Sequence, residues 1–411
     1  MAIADGGNGY MPSEHISQFM ADLDTLPFVF ASPNDIVLVD QYPGDYWLQS
    51  ISELKLELPR FVTFGELMTG LKNKTIRVTT CCPWGWSPRM IKILEPVRPY
   101  LLNQDSIYPN FGWNSQYKEI YGRQTALNVL KYMLSHSEYK NMLLTEDLLP
   151  TIARTEADVD LFIKKFERIV LKTPYSSSGR GVLILRENIL NRSNRQWIIG
   201  NIRKFGFIMM EPYLDKLLDV SVQFYLNGAI CKAVGMAFSV TNSKGGYVGN
   251  HVKGINIDAE MTSFFESVEF KNIIRDLSIA IQNKGLGKYY RGYFGVDMMI
   301  CRGIDYHYFL QPCVEINLRY NMGILACFME RLIGESSYGL FKIITANDET
   351  EALLEQSSQE ILWKEHKIVE GVLPLTPWRG KKHIAILEVD RLKGNEFILN
   401  DIFDVNKDLI S

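Results

Sequence analysis

The chain has almost no excess of charge of either sign. Its 411 residues carry 44 Lys and Arg against 47 Asp and Glu, which gives a formal net charge of −3. A chain this close to neutrality has no bulk attraction for nucleic acid or anionic lipid, so we expect no nucleic-acid partner and no membrane partner. No apolar run comes near the roughly 20 residues that cross a bilayer, which supports the second exclusion.

Cysteine and histidine are also scarce. The six cysteines contain no C-x-x-C pair and, apart from Cys81-Cys82, lie far apart along the chain. This usage is typical of reduced thiols rather than of a disulfide framework. The six histidines are scattered, and no convincing Ser-His-Asp or Cys-His set emerges. The N-terminus lacks the basic and apolar regions of a signal peptide, so we expect a cytoplasmic protein.

A chain of 411 residues is too long for one compact core. It should divide into about two to four domains or subdomains. In the first part, short apolar strands alternate with amphipathic helices, which favours a small α/β layer over residues 1–117. The predicted strands of this layer are 35–40, 60–64 and 75–80, and its predicted helices are 64–72 and 87–94.

The rest of the chain also mixes helices with strands, so the predicted fold class is α+β. Asn227-Gly228 joins two strands in a predicted hairpin, and a glycine-rich loop, residues 242–254, follows it. Apolar spacing predicts one long helix over 261–283. The other predicted helices are 121–134, one that Thr155 opens, and 349–364; the other predicted strands are 168–172, 181–186, 207–210, 294–301, 308–318 and 382–389.

A loop of small residues follows an apolar strand that ends in a lysine. Lys172 precedes Ser176-Ser-Ser-Gly-Arg-Gly181, where small residues let the backbone approach an anion and hydroxyls add donors. An unpaired buried ammonium is costly, so Lys172 requires an anionic partner. This is not a Walker loop, because no Gly-Lys-Ser/Thr occurs and a strand follows. The pattern indicates a triphosphate site, and its alternative interpretation is an ordinary hairpin turn.

A second segment, Glu211-Pro-Tyr-Leu214, leaves the next apolar strand in an extended turn. Adenine recognition needs a backbone carbonyl and a backbone N–H. Pro212 keeps its carbonyl and Leu214 can donate its N–H, so the turn suits an adenine ring. Asp219, at the start of the following strand, is placed for a pair of ribose hydroxyls. Taken alone, the turn is an ordinary strand exit and Asp219 is a surface acid.

The strongest signal is an alternation of polar side chains near residue 315. Glu315, Asn317 and Arg319 recur at every second position, which puts them on one face of a strand, while Ile316 and its apolar neighbours face the core. With Asp297 at the end of the neighbouring strand, these oxygens make a cage suited to Mg²⁺ that bridges phosphates. Arg319 could hold a phosphoryl or carboxylate oxygen. The alternative is the solvent face of an edge strand.

With these segments in this order, residues 118–325 resemble the ATP-grasp superfamily, which includes D-alanine–D-alanine ligase, glutathione synthetase and biotin carboxylase. The resemblance implies two α+β subdomains that hold ATP between them, after a Rossmann-like N-terminal domain. We accordingly expect boundaries at 1–117, 118–214 with the phosphate loop, 215–335 with the metal site, and 336–411 as a helix and one or two strands that pack on the core.

The resemblance also implies roles for individual residues. Lys172 resembles the lysine on the α/β-phosphates, and Arg123 sits where many members carry another phosphate-contacting lysine. In D-alanine-type ligases an arginine lies two residues before the first metal aspartate; here that place is Gly295, so oxyanion stabilisation would fall to Arg291 or Arg319. In the 242–254 loop, Lys244 or Lys253 could reach the γ-phosphate, and the alternative interpretation is an exposed mobile hairpin. The implied phosphate flap is Ser176, Ser177, Ser178, Gly179 and Gly181; the adenine and ribose contacts are Glu211, Pro212, Tyr213, Leu214 and Asp219; and the metal ligands are Asp297, Glu315 and Asn317.

The implied chemistry is acyl-phosphate formation with ATP and Mg²⁺ or Mn²⁺. A small-molecule carboxylate attacks the γ-phosphate, and an amine or thiol then displaces phosphate. Two alternatives stay open at this point: a small-molecule kinase with the same grip on ATP, and a nucleotide-binding module without turnover. The sequence does not determine the oligomeric state, although homodimers are common among such proteins.

Overall fold

The computed structural model describes residues 10–102, 111, 115–175, 181–187, 189–242, 246–303, 307–394 and 396–398. In these ranges the helices are α1 (Glu14–Asp22), α2 (Asp45–Ser50), α3 (Phe64–Lys72), α4 (Pro88–Leu94), α5 (Ser115–Ile120), α6 (Arg123–His136), α7 (Glu156–Lys165), α8 (Arg192–Phe205), α9 (Ala259–Glu266), α10 (Val268–Asn283), α11 (Met322–Met329) and α12 (Thr350–Gln359). None of these described helices combines the length and apolar character that a membrane crossing requires.

The strands in the same ranges are β1 (Ile36–Leu38), β2 (Arg60–Val62), β3 (Thr151–Ala153), β4 (Ile169–Lys172), β5 (Val182–Leu185), β6 (Ile208–Pro212), β7 (Lys216–Asn227), β8 (Ile230–Ala237), β9 (Ser239–Thr241), β10 (Tyr247–Val252), β11 (Gly254–Ile255), β12 (Gly292–Arg302), β13 (Tyr308–Asn317), β14 (Ser337–Thr345), β15 (Leu362–Lys364), β16 (Lys367–Pro374), β17 (His383–Arg391) and β18 (Phe397–Ile398).

The segment around Lys172 forms a small sheet of its own. Its strand order is β3-β6-β4-β5, and α7 and α8 supply apolar side chains such as Phe162 and Ile198 to a core over this sheet. Thr155 begins α7 as predicted, since its hydroxyl accepts from Asp158 N–H while the Asp158 carboxylate accepts from Thr155 N–H. This capping box satisfies two donors that a helix start otherwise leaves unpaired.

A second sheet carries the residues predicted to bind metal. Its strand order is β13-β12-β7-β8, all antiparallel. The predicted hairpin at Asn227-Gly228 joins β7 to β8, and Gly228 adopts φ 60°, a conformation that favours glycine. Helices α6 and α10 contribute Leu130 and Leu277 to the core that this sheet shares. Asp297 lies within β12 rather than at its end.

The single helix predicted over 261–283 is wrong, because the structure divides it into α9 and α10. Ser267 separates them with extended backbone angles, φ −60° and ψ 149°. Its hydroxyl oxygen accepts from Phe270 N–H at 3.1 Å and donates to the carbonyl of Phe264 at 2.7 Å. A serine side chain competes with helical hydrogen bonding in this way and favours a cap over a helix interior. The apolar periodicity continues across the break, so spacing alone does not reveal it.

We expect Ser267→Ala to lower the free energy of unfolding by about 1 kcal/mol, the usual cost of removing an N-cap side chain. Ser263→Ala is the matched control, because Ser263 lies inside α9 and its hydroxyl donates to the carbonyl of Ala259 within the same helix. Chemical denaturation of both variants measures the difference. Equal stabilities of the two variants would contradict the assignment of Ser267 as a cap.

The third sheet was not expected from the sequence. It has six strands in the order β15-β16-β17-β14-β10-β9. Residues 242–254 were predicted as a loop, but Tyr247–Val252 is β10 and pairs with β14 and β9. The forecast of one or two strands after residue 335 is also too low. Of the strands not predicted, β14 pairs with β10 and β17, which lie far away in the chain, whereas β15 and β16 pair with each other as neighbours in sequence.

The N-terminal residues are divided between two cores. Of the described residues here, 36–38 and 60–62 form a two-stranded parallel sheet, while the predicted strand 75–80 is reduced to one bridge between Val78 and Leu101. The Rossmann-like domain is therefore not confirmed. Phe28 and Trp47 pack in the core of the six-stranded sheet, and Trp47 Nε1 donates to the carbonyl of Pro374 at 3.2 Å. Leu67 and Leu94 instead join the core of the β13-β12-β7-β8 sheet.

Candidate functional site

A row of polar side chains crosses three strands of the β13-β12-β7-β8 sheet. Ser221 on β7, Asp297 on β12 and Glu315 on β13 are direct neighbours in the strand register. Residues opposite each other in an antiparallel pair have their side chains on the same face. The structure therefore brings two of the predicted metal ligands together, and we call Ser221, Asp297 and Glu315 the carboxylate row.

A second row lies directly beside the first. Gln223, Gly295 and Asn317 are neighbours in register, each two residues away from a member of the carboxylate row. Asn317 Nδ2 donates to Asp297 Oδ2 at 2.9 Å, and Asn317 Oδ1 accepts from Arg319 Nη2 at 3.2 Å. The three predicted ligands thus lie together. The amide oxygen of Asn317 faces Arg319 and would have to rotate to join a metal ion.

Like charges lie close together in the carboxylate row. Burial, followed by the neighbouring charge of Glu315, raises the pKa of Asp297 to about 6, although hydrogen bonds from Asn317 and Ser221 and the charge of Arg319 oppose the shift. Two carboxylates directly opposite each other destabilise a sheet unless a cation offsets them. The arrangement therefore favours binding of a cation on this face.

Arg123 supplies one such cation and connects two parts of the molecule. From the first turn of α6, its Nη2 donates to Glu315 Oε2 at 2.9 Å, while its Nη1 donates to the carbonyl of Thr173 at 2.8 Å. Its backbone N–H donates to the carbonyl of Pro174. Thr173 directly follows Lys172, so one arginine spans the distance between the end of β4 and the carboxylate row.

The anionic partner of Lys172 in the structure is a carboxylate of the protein. Lys172 Nζ donates to Glu211 Oε2 at 2.5 Å, and the two side chains are only 12% and 13% exposed. The expectation that this lysine needs an anion is met by Glu211. The role of Glu211 beside an adenine ring and the role of Lys172 on phosphates stay predictions.

The turn after β6 is tied to the neighbouring strand. Pro212 lies opposite Ile169, and Tyr213 N–H donates to the carbonyl of Arg168 at 2.9 Å. The guanidinium of Arg168 lies over the Tyr213 ring, 5.1 Å from its centre. The carbonyl of Leu214 accepts from Lys216 N–H. These bonds fix the path of the backbone that was predicted to contact adenine.

Asp219 lies on β7, two residues before Ser221, and therefore shares the face of the carboxylate row. Its carboxylate accepts from Lys216 Nζ at 2.5 Å, and its side chain is 40% exposed. An exposed carboxylate on this face is compatible with the predicted contact to ribose, which stays a prediction.

The other predicted site residues lie at different places. The predicted flap residues Ser176, Ser177, Ser178 and Gly179 fall outside the described residues, whereas Gly181 has φ 74° and its carbonyl accepts from Thr173 N–H at 2.8 Å. Arg291 precedes β12; burial raises the pKa of the Cys82 thiol, and the charge of Arg291 opposes that shift. Lys253 has φ 70° in the turn between β10 and β11, and its Nζ donates to the carbonyl of Gly334 at 2.5 Å.

Sequence reasoning missed Ser221 and Gln223. Along β7, polar residues at 219, 221 and 223 alternate with the buried Val220, Val222 and Phe224. This is the same period-two signal that identified Glu315 and Asn317. The period-two alternation along β7 therefore identifies Ser221 and Gln223 from the sequence.

Gly295 has a steric reason to be glycine. A Cβ at this position would lie 2.7 Å from Asn321 Nδ2 and 2.8 Å from Gln223 Oε1. Real Cβ atoms do not approach other heavy atoms this closely, so the arginine of D-alanine-type ligases could not be accommodated here without displacement of both amides.

The donor set fits Mg²⁺ or Mn²⁺. In the part of the chain that the structure describes, no group of three or more His, Cys, Asp or Glu side chains is placed to hold a metal ion. The carboxylate row offers two carboxylates, with the Asn317 amide beside them. Magnesium is commonly held by one or two carboxylates while waters and substrate phosphates complete its shell. Oxygen-only ligands of this kind are hard donors, which suit Mg²⁺ and Mn²⁺.

No protein-family model and no curated protein matches the chain. Among solved structures it is similar to biotin carboxylase from Campylobacter jejuni, with a TM-score of 0.50 and 12% identity over 87% of this chain and 88% of that chain. N5-carboxyaminoimidazole synthetase from Staphylococcus aureus has a TM-score of 0.45 and 13% identity over 89% and 95% of the two chains. The likeness to the biotin carboxylase shows that the chain has the ATP-grasp fold, which confirms the fold class expected from the sequence.

Proposed function

We propose that this protein is an ATP- and Mg²⁺-dependent ligase that activates a small-molecule carboxylate as an acyl phosphate for attack by an amine or a thiol. The observation that carries the proposal is the position of Arg123 between the Thr173 carbonyl and Glu315. Since Lys172 precedes Thr173, the predicted phosphate-binding lysine and the predicted metal ligands lie on opposite sides of one arginine side chain. A triphosphate bound by Lys172, with its divalent ion at Asp297 and Glu315, would lie beside this arginine.

The fold supports a nucleotide in this position. The Campylobacter jejuni biotin carboxylase, with which the chain shares its fold, was crystallised in a complex with beta-gamma-ATP. By analogy of fold alone, we place ATP between the β3-β6-β4-β5 sheet and the β13-β12-β7-β8 sheet. Asp297 and Glu315 would hold Mg²⁺ or Mn²⁺, which when bound would neutralise charge on the phosphates.

The proposed reaction has two steps. A carboxylate oxygen of the substrate attacks the γ-phosphorus, the bond to the bridging β,γ-oxygen breaks, and ADP leaves with that electron pair. An amine or thiol then attacks the acyl carbon, phosphate leaves, and the nucleophile loses its proton. This chain's contribution would be to position the reactants and stabilise charge, with Arg319 beside Asn317 and Arg291 as the candidates for oxyanion stabilisation.

A screen for ADP formation tests the proposal. Purified protein with ATP and Mg²⁺ would be incubated with pools of small carboxylates, with and without pools of amines and thiols. We expect ADP and phosphate to form only when a carboxylate and an acceptor are both present. ADP formation with a hydroxyl compound, without phosphate release, would show a kinase instead, and nucleotide binding without turnover in any pool would show a binding module.

A further inference from the structure

Gln223 is a buried amide that the proposed metal chemistry does not use directly. Its side chain is 0% exposed, and its Nε2 donates to Ser221 Oγ at 2.8 Å and to the Ser221 carbonyl at 3.3 Å. Its Oε1 has no hydrogen-bond partner among the described residues. Burying an amide without hydrogen-bond partners costs free energy. Packing alone therefore does not explain why a glutamine stands at position 223.

The hydrogen bond from Gln223 determines the direction of the next one. Ser221 can accept at its oxygen and donate its single proton. Because its oxygen accepts from Gln223, the hydroxyl proton is left to donate, and the Ser221 hydroxyl is hydrogen-bonded to the Asp297 carboxylate. Gln223 thus donates to Ser221, and Ser221 donates to Asp297.

Gly295 leaves room for Gln223 beside Asn321. Asn321 Oδ1 accepts from Ile324 N–H at the start of α11, which fixes the orientation of its amide. A Cβ at position 295 would lie 2.8 Å from Gln223 Oε1 and 3.3 Å from Ser221 Oγ. Glycine at this position is therefore what lets the two side chains lie directly over β12, next to Asp297.

We propose that Gln223 and Ser221 are positioning residues that orient the Asp297 carboxylate for the divalent ion. The inference rests on the proposed function, since it concerns the metal site of that reaction. Neighbours that hydrogen-bond to a metal ligand fix its rotamer, and their removal typically costs about 10- to 100-fold in metal affinity. We expect a loss of about 10-fold in this case, because Asn317 Nδ2 still donates to Asp297.

Titration with Mn²⁺ in the presence of ADP, followed by electron paramagnetic resonance of free Mn²⁺, measures this affinity without turnover. Ser221→Ala and Gln223→Leu should each weaken Mn²⁺ binding about 10-fold, and the double variant should be no weaker than either single variant, since the two residues act in one series of bonds. Ser221→Thr keeps the hydroxyl and should bind as the wild type does. Ser337→Ala is the control, because this buried strand serine donates to the carbonyl of Val369 in another sheet.

The outcomes separate the two proposals. Wild-type protein that binds no Mn²⁺ would overturn both the proposed function and this inference. Wild-type binding that is unchanged in Ser221→Ala and Gln223→Leu would overturn the inference alone. Losses in the double variant that add, together with an equal loss in Ser221→Thr, would indicate altered packing and would likewise overturn it. Thermal unfolding of each variant shows that the protein measured is folded.

Discussion

Glu315→Gln is expected to abolish ATP turnover while the protein stays folded. Asp297 and Glu315 lie opposite each other on the neighbouring strands β12 and β13. Glu315 also forms an ion pair with Arg123. Loss of one of two carboxylates should leave too little negative charge to hold Mg²⁺. Because a bound metal contributes several kcal/mol of charge stabilisation, and about 1.4 kcal/mol corresponds to a tenfold change in rate, we expect a loss on the order of 1000-fold.

The fold should tolerate this change. The amide oxygen of the introduced glutamine can still accept the hydrogen bond that Arg123 Nη2 donates, so the guanidinium keeps a partner. The matched control is Glu370→Gln, which removes the charge of another Glu–Arg pair, Glu370 with Arg391 at 3.0 Å, far from the carboxylate row in the sheet topology. ADP formation is measured for both variants, with circular dichroism as the test of folding. Near-normal ADP formation by Glu315→Gln would refute the metal site.

Lys172→Ala should reduce both nucleotide affinity and stability. If Lys172 binds phosphate, its removal should weaken binding by roughly 10- to 100-fold, since a hydrogen bond to a charged group contributes about 1.5–3 kcal/mol. The same change leaves the Glu211 carboxylate, only 13% exposed, without the ammonium that now pairs with it. Removing one partner of a buried ion pair typically costs about 3–5 kcal/mol.

A double variant separates the two effects. Lys172→Ala with Glu211→Gln removes the unpaired carboxylate, so stability should recover toward wild type while nucleotide affinity stays low. Lys342→Ala is the matched control, because Lys342 pairs with Glu388 in the six-stranded sheet. Calorimetry with a non-hydrolysable ATP analogue and thermal unfolding measure the two quantities. Affinity that recovers together with stability would mean that Lys172 acts only as the partner of Glu211.

Helix caps, turn residues and apolar periodicity predicted the helices and strands correctly where the interactions that form them are between residues close in sequence. Helix 64–72 agrees with α3 in both bounds. The helix that Thr155 opens and the hairpin at Asn227-Gly228 are both confirmed. In each of these cases the capping or turn residue and the apolar period lie within a few positions of one another, so a short window contains the whole signal.

Pairing between distant segments explains the error at residues 247–252. Tyr247–Val252 contains Gly249 and lies in the glycine-rich segment 242–254, which the sequence predicts as a loop, yet it pairs with β14, about 90 residues later in the chain, as strands do when distant pairing outweighs local preference. Gly249 belongs there because a Cβ would lie 2.1 Å from the carbonyl oxygen of Phe341. Trp47 likewise donates a hydrogen bond to the carbonyl of Pro374, in a core that N-terminal and C-terminal residues share. The predicted boundaries, which assign the two residues to different domains, do not indicate this contact.

From the order of residues alone it follows that Glu315 and Asn317 share one face of a strand, because side chains alternate with a period of two along any β-strand. The folded arrangement of the strands places Ser221, Asp297 and Glu315 in one row, since the register between strands is set by packing and pairing over the whole sheet. It also decided that Glu211 is the partner of Lys172 and that Arg123 reaches Glu315. An ionisable side chain in a folded protein pairs with the charge that folding brings near it. The distance in space between two such side chains cannot be read from the number of residues between them in the chain.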